Sequence, residues 1–236
     1  FSYRKLSREN RLTYDVLDYY LELSKKESDY LLYEEPMGTV SGVQTQIPVL
    51  LSEYQFQSKE DVDAYLELMK TTPDYFNSLI AFEQEKAQKG LFMASYTADT
   101  VIEQCQAFID MGDSNYLIST FVDRIQKLTD LSESEKSDYI QKNAYMLKTY
   151  VLPAYQQLIK TVVELKDSGK NEEGLCYLRN GKEYYELTVQ ASTGSARTVP
   201  QLQKLTKNQM KDDLAAMKAV IGLTAEQAKE TAVMES

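Results

Sequence analysis

The sequence predicts an all-α protein, an irregular multi-helix array with one long kinked helix and little or no sheet. Three observations carry that reading. Apolar residues recur at three- and four-residue intervals through most of the chain. Small polar residues stand where helices should start, and glycines stand where several should stop. No segment sustains the apolar–polar alternation of a half-buried strand. With 236 residues the chain is long enough to bury a core of its own, and a single helical domain over 1–236 is expected.

The elements follow in order. Ser7 can cap a helix from Arg8 to Glu27, with Leu12, Val16, Tyr19, Tyr20 and Leu23 on one face to be buried. The stretch Tyr33 to Tyr54, with two prolines and two glycines, reads as an ordered connector with room for a short helix after Pro48. Ser58 and Asp61 form an S-x-x-D cap for a helix through Lys70 that buries Val62, Tyr65, Leu66 and Met69. Thr72-Pro73 starts the next helix, which runs to Lys89 and stops at Gly90, with Phe76, Leu79, Ile80 and the neighbourhood of Phe82 inward. Helices are then expected from Ala98 to Asp110 and from about Ser114 to Leu128. Ser132 and Glu135 make a capping box for the longest helix, Glu133 to Lys166, which Pro153 should kink near Thr149 to Pro153. Thr198 can cap a helix from Val199 to Val220, and Thr224 with Gln227 repeats the capping pattern for a last segment.

Between the polar loop Asp167 to Gly174 and Thr198 lies GLCYLRNGKEYYELTVQASTGSAR, Gly174 to Arg197. Asn180-Gly181 is the strongest hairpin signal in the chain, pairing Leu175–Leu178 with Lys182–Tyr185. Against it, Tyr184, Leu187, Thr188 and Ala191 have helical spacing, with Gly194 as a stop. The helix is favoured. Tyr184 and Tyr185 then lie about 100° apart around the axis, so one can join a core while the other presents its hydroxyl to a groove. Packing is the commoner role for helix-spaced tyrosines, and solvation the commoner role for Lys182 and Arg197. Arg197 does precede a helix N-terminus, where guanidinium and free N–H groups together could hold a carboxylate.

Composition excludes several functions. Apolar residues at 43% are globular rather than disordered, and a net charge of −10 argues against nucleic acid and anionic membrane as partners. The chain has no histidine, so it carries no Ser-His-Asp triad, Cys-His pair or HExxH zinc motif of its own, and no catalytic residue is assigned. Glu34-Glu35 and Glu172-Glu173 are neighbours in loops and read as solvated; a catalytic pair needs a fixed separation across a cleft. Ser41 and Ser195 have no base beside them. Cys105 and Cys176 allow one disulfide in an exported protein or two free thiols in a reducing compartment. No run approaches the ~20 apolar residues of a transmembrane segment.

LTYDVLDYYLE (12–22), DYLLYEEPMGTVSGVQTQIPVLLSEYQF (29–56), EKAQKGLFM (85–93), VIEQC (101–105), VLPAYQQL (151–158) and NEEGLCYLRNGKEYYELTVQASTGSART (171–198) resemble the bacterial domain-of-unknown-function family 885 along essentially the whole chain. That family is similar to the gluzincin metallopeptidases, largely helical proteins with a long groove, and many of its members look like lipoproteins exported by Gram-positive gut bacteria. The resemblance implies the N-terminal helical portion of a peptidase-like protein whose HExxH-like zinc helix lies downstream. No cofactor is then expected in this chain, and zinc is expected in the missing C-terminal half, the chain's main partner. Peptides are the expected ligands, with Lys182, Tyr184, Tyr185 and Arg197 as substrate contacts in the groove wall. Export favours a Cys105–Cys176 disulfide and an extracytoplasmic, lipid-anchored location, although the residues themselves leave a cytoplasmic one open. A fragment of this kind should expose an apolar face and could form a homodimer through it. The alternative is a stand-alone helical extracellular ligand-binding or scaffold module.

Overall fold

The computed structural model of the protein describes residues 2–221. These residues contain helices, turns and loops and no strand. They form two compact units, one of Tyr30–Gly181 and one of Phe1–Asp29 with Lys182–Ser236. The segment expected after Thr224 lies outside the described residues.

In the second-named unit, α1 (Arg8–Glu27) begins as the sequence predicts, with Ser7 Oγ accepting the Asn10 N–H at 3.2 Å. Tyr3 buttresses its first turns: its ring meets Tyr14 edge-on at 5.2 Å and its hydroxyl donates to Asp15 at 2.9 Å. The expected buried face is not formed. Leu23 is buried, while Leu12, Val16, Tyr19 and Tyr20 are exposed. Helical spacing decides which side chains share a face; it does not supply the neighbour that covers them. The other α-helices of this unit among the described residues are α9 (Gly181–Thr193), whose first residue closes the other unit, and α10 (Val199–Ile221).

The larger unit holds α2 (Val43–Glu53), α3 (Lys59–Lys70), α4 (Thr72–Lys89), α5 (Ser95–Asp110), α6 (Tyr116–Ile125), α7 (Glu133–Met146) and α8 (Leu152–Leu165). α8 packs against α4 and α5, and α7 against α3 and α6. Val62, Tyr65, Leu66 and Met69 are the buried residues of α3, as the cap and spacing foretold. The Asp61 carboxylate accepts the Ser58 N–H at 2.9 Å at its start. Gly90 ends α4 in the left-handed region, φ 70°, where a Cβ would be strained. Inside the core, Tyr155 meets Phe76 and Phe108 at ring separations of 4.9 and 4.6 Å, contacts worth about 0.5–1.5 kcal/mol each beyond burial.

α2 corrects the sequence reading, because it starts five residues before Pro48 instead of after it. A proline there deprives the Gln44 carbonyl, four residues back, of its helical donor. The buried hydroxyl of Tyr155 replaces that donor at 2.6 Å. The other end of α2 is held by Arg124, whose Nη1 donates to the carbonyls of Leu51 (3.0 Å) and Tyr54 (2.6 Å). The same guanidinium lies over the rings of Phe56 (4.5 Å) and Tyr65 (5.0 Å).

The longest predicted helix is interrupted close to where Pro153 required it. Residues Leu147–Val151 form a π turn in which the Leu152 N–H bonds the carbonyl of Leu147, five residues back. The Lys148 carbonyl thereby loses its α-helical donor, and Thr149 loses its own because Pro153 has no N–H. On either side, α7 and α8 are regular.

Candidate functional site

The Gly174 to Arg197 stretch resolves as a turn feeding a helix, not a hairpin. Leu175–Tyr177 make one 3₁₀ turn, and the N–H groups of Leu178 and Gly181 bond the carbonyls of Leu175 and Leu178. Asn180 takes φ 58°, which asparagine tolerates better than most residues. Gly181 fits because a Cβ there would lie 1.8 Å from the Leu175 carbonyl oxygen. The Asn-Gly step is thus spent on entering α9. At the far end Gly194, φ 61°, bonds the carbonyl of Gln190 and turns the chain toward α10. The Thr198 N–H donates to Gln201 Oε1 at 3.0 Å, closing the first turn of α10.

A groove of about 420 Å³ runs between α9 and α10. Tyr185 and Val189, one turn apart, form the α9 wall; Val199, Leu202, Thr206 and Met210 give the other wall at helical spacing. Lys207 brings the groove a cation. Of the four residues singled out by sequence, Tyr185 lines this groove, with half of its surface exposed. Lys182 is exposed, Tyr184 half-buried and Arg197 exposed, and none of them is on the groove lining. The Arg197 N–H and Nη1 both approach Ser195 Oγ, at 3.3 and 3.4 Å. Lys207 escaped the sequence reading, although it extends the apolar face of α10 and that register could have flagged it.

Two loop carboxylates read as solvated prove to be engaged. Glu35 Oε2 lies 2.9 Å from Lys86 Nζ, a fully buried ammonium that also donates to the Glu34 carbonyl at 2.6 Å. Buried Glu83 lies 3.8 Å from the same nitrogen, and neither of its oxygens has a hydrogen-bond partner. Burial, with the nearby Glu35 charge adding to it and Lys86 opposing it, pushes the Glu83 carboxyl up to about 7. Glu35 is raised as well, chiefly by burial. Glu172 caps α5 from its loop, accepting the Ser95 N–H at 3.0 Å and the Ser95 hydroxyl at 2.8 Å. The expected disulfide is not formed: Cys105 is a buried free thiol, pushed up to about 12 by burial, and Cys176 is an exposed one. Among the described residues, no three Cys, Asp or Glu side chains converge as a metal-ligand set, and no helix is long and apolar enough to cross a membrane.

A search of the curated proteins finds no match. Among solved structures the chain is similar to the crystal structure of "the putative lipoprotein from Colwellia psychrerythraea", with a TM-score of 0.69 and 17% sequence identity. The alignment covers 78% of this chain and 31% of that one, so the chain matches about a third of its neighbour's length. At that identity the likeness establishes the helical fold alone. The profile of the family described as "Bacterial protein of unknown function (DUF885)" matches residues 1–235, and the chain belongs to that family.

Proposed function

We propose that the chain forms a non-catalytic, helical part of a longer zinc-metallopeptidase-like protein, and that the α9–α10 groove binds peptide. The groove itself carries this reading. Its walls are mainly apolar, Tyr185 offers a ring and a hydroxyl, and Lys207 offers a charge for a carboxylate. Lys182, Tyr184 and Arg197, off the lining, are kept as secondary candidate contacts. A histidine-free chain carries no HExxH zinc helix, so the zinc of such a protein is placed in polypeptide beyond this segment. The likeness to a longer putative lipoprotein, of which the alignment covers 31%, supports a larger parent outside the cytoplasm.

The test is fluorescence anisotropy of labelled peptides with apolar side chains and free carboxylates, titrated with this chain. Tyr185→Ala should weaken binding about tenfold, the loss expected for an aromatic anchor. Absence of binding, or binding indifferent to that change, overturns the groove assignment. Metal analysis of the full-length gene product tests the parent separately, with about one zinc per chain expected. A zinc-free parent alongside peptide binding by this chain would select a stand-alone binding module instead.

A further inference from the structure

A second cleft, of about 310 Å³, lies in the larger unit where α4 crosses the π turn and the start of α8. Its lining carries no charged side chain. Four polar side chains line it: Asn77 from α4, Thr149 and Tyr150 from the π turn, and Gln157 from α8. None of the four hydrogen-bonds a described residue through its side chain, so each has its donors and acceptors open to the cleft. Beside the cleft the backbone is irregular, since the π turn and Pro153 withhold the α-helical donors of the Lys148 and Thr149 carbonyls. π turns inside α-helices recur at functional sites. The apolar part of the wall is made of the rings of Pro73, Pro153 and Phe76 together with Ala154.

We propose that this cleft binds a single neutral sugar residue. Each amide presents a donor beside an acceptor, a pairing that matches adjacent hydroxyl groups, and hydroxyls of Thr149 and Tyr150 can do either. The proline rings and the Tyr150 ring suit the apolar C–H face of a pyranose. An uncharged lining gives a charged ligand nothing to pair with. The volume sits at the small end of ligand sites, which fits one ring and not an oligomer. An extended peptide would instead seek a sheet edge or a long groove, and the described residues offer no strand here.

The experiment is a titration of the ¹⁵N-labelled chain with glucose and, separately, N-acetylglucosamine, read by amide shifts. A saturable response with Kd on the order of millimolar, centred on residues 73–77 and 149–157, is expected. Asn77→Ala and Gln157→Ala remove exposed helical side chains without protein partners, so Tm should hold while each raises Kd about tenfold. The proposal fails if neither sugar gives a saturable response, if the shifts lie elsewhere, or if the double variant binds as well as the parent. It fails equally if N-acetyl-trialanine amide, run as the peptide control, is the probe that saturates this cleft. Because α9 and α10 lie outside the responding residues, loss of peptide binding at their groove leaves this result unaffected.

Discussion

Replacing Glu83 by glutamine should remove a pH dependence that the fold has built in. Glu83 is about 1% exposed, and Lys86 beside it already has Glu35 as a counter-ion at 2.9 Å. An ionised Glu83 therefore adds a second negative charge to a buried site that one positive charge balances, and the neutral acid is favoured. The folded-state value of about 7 exceeds the ordinary 4.5, so folding takes up a proton between those limits. Stability from this group is fully present below pH 4.5 and is lost as pH rises through 7. At about 1.4 kcal/mol per pH unit the loss amounts to about 3 kcal/mol, an upper figure because water can reach the opened site. The assay is urea unfolding at intervals from pH 5 to pH 8.5, followed by tyrosine near-ultraviolet circular dichroism, for native chain and Glu83→Gln. Glu35 shifts the same way, so the two curves are subtracted and the difference is assigned to Glu83. Native stability should fall relative to the variant above pH 6. Parallel curves would refute the reasoning, since Glu83 would then titrate alike in folded and unfolded chains.

Two further outcomes follow from the core and the thiols. Tyr155→Phe should cost about 1–3 kcal/mol, because it strands the Gln44 carbonyl in the interior, and should cost clearly less in a Pro48→Ala background, where residue 48 regains an N–H for that carbonyl. A double-mutant cycle by denaturant unfolding checks this; additive effects would break the link. Cys176 should react with a thiol reagent in the native state within minutes, whereas Cys105, buried and pushed up to about 12, should react only on unfolding. Two thiols titrating together in native buffer would contradict the structure.

Local chemistry was the legible part of the sequence. Ser7, Ser58 with Asp61, Gly90 and Gly194 marked helix ends because each acts within four residues of itself. The four buried residues of α3 were legible because one face of a short helix meets one core. What failed depended on distant partners. The start of α2 before Pro48 rests on a hydroxyl 111 residues away. Lys86 and Glu83 occupy the buried face of α4 because a loop fifty residues earlier brings Glu34 and Glu35 to them. Of the four residues singled out, Tyr185 lines the α9–α10 groove, while the wall opposite it, with Lys207, belongs to a helix that spacing alone does not pair with α9.

The π turn has one more consequence, which concerns angle. Tyr139, Asn143, Leu147, Val151 and Tyr155 are all buried, and each is four residues from the last. In an uninterrupted α-helix every four-residue step overshoots a full turn by about 40°, so four steps would carry the line about 160° around the axis. Tyr155 would then point away from the core that Tyr139 enters. The wider turn at Leu147–Val151 unwinds the helix in between and returns the line toward the same side. It works as a phase corrector: the same residues wound as regular α-helix throughout would leave one sound helix and rotate everything after the turn. Tyr155 would swing off the Gln44 carbonyl, and the cost would appear in α2, far along the chain from the turn.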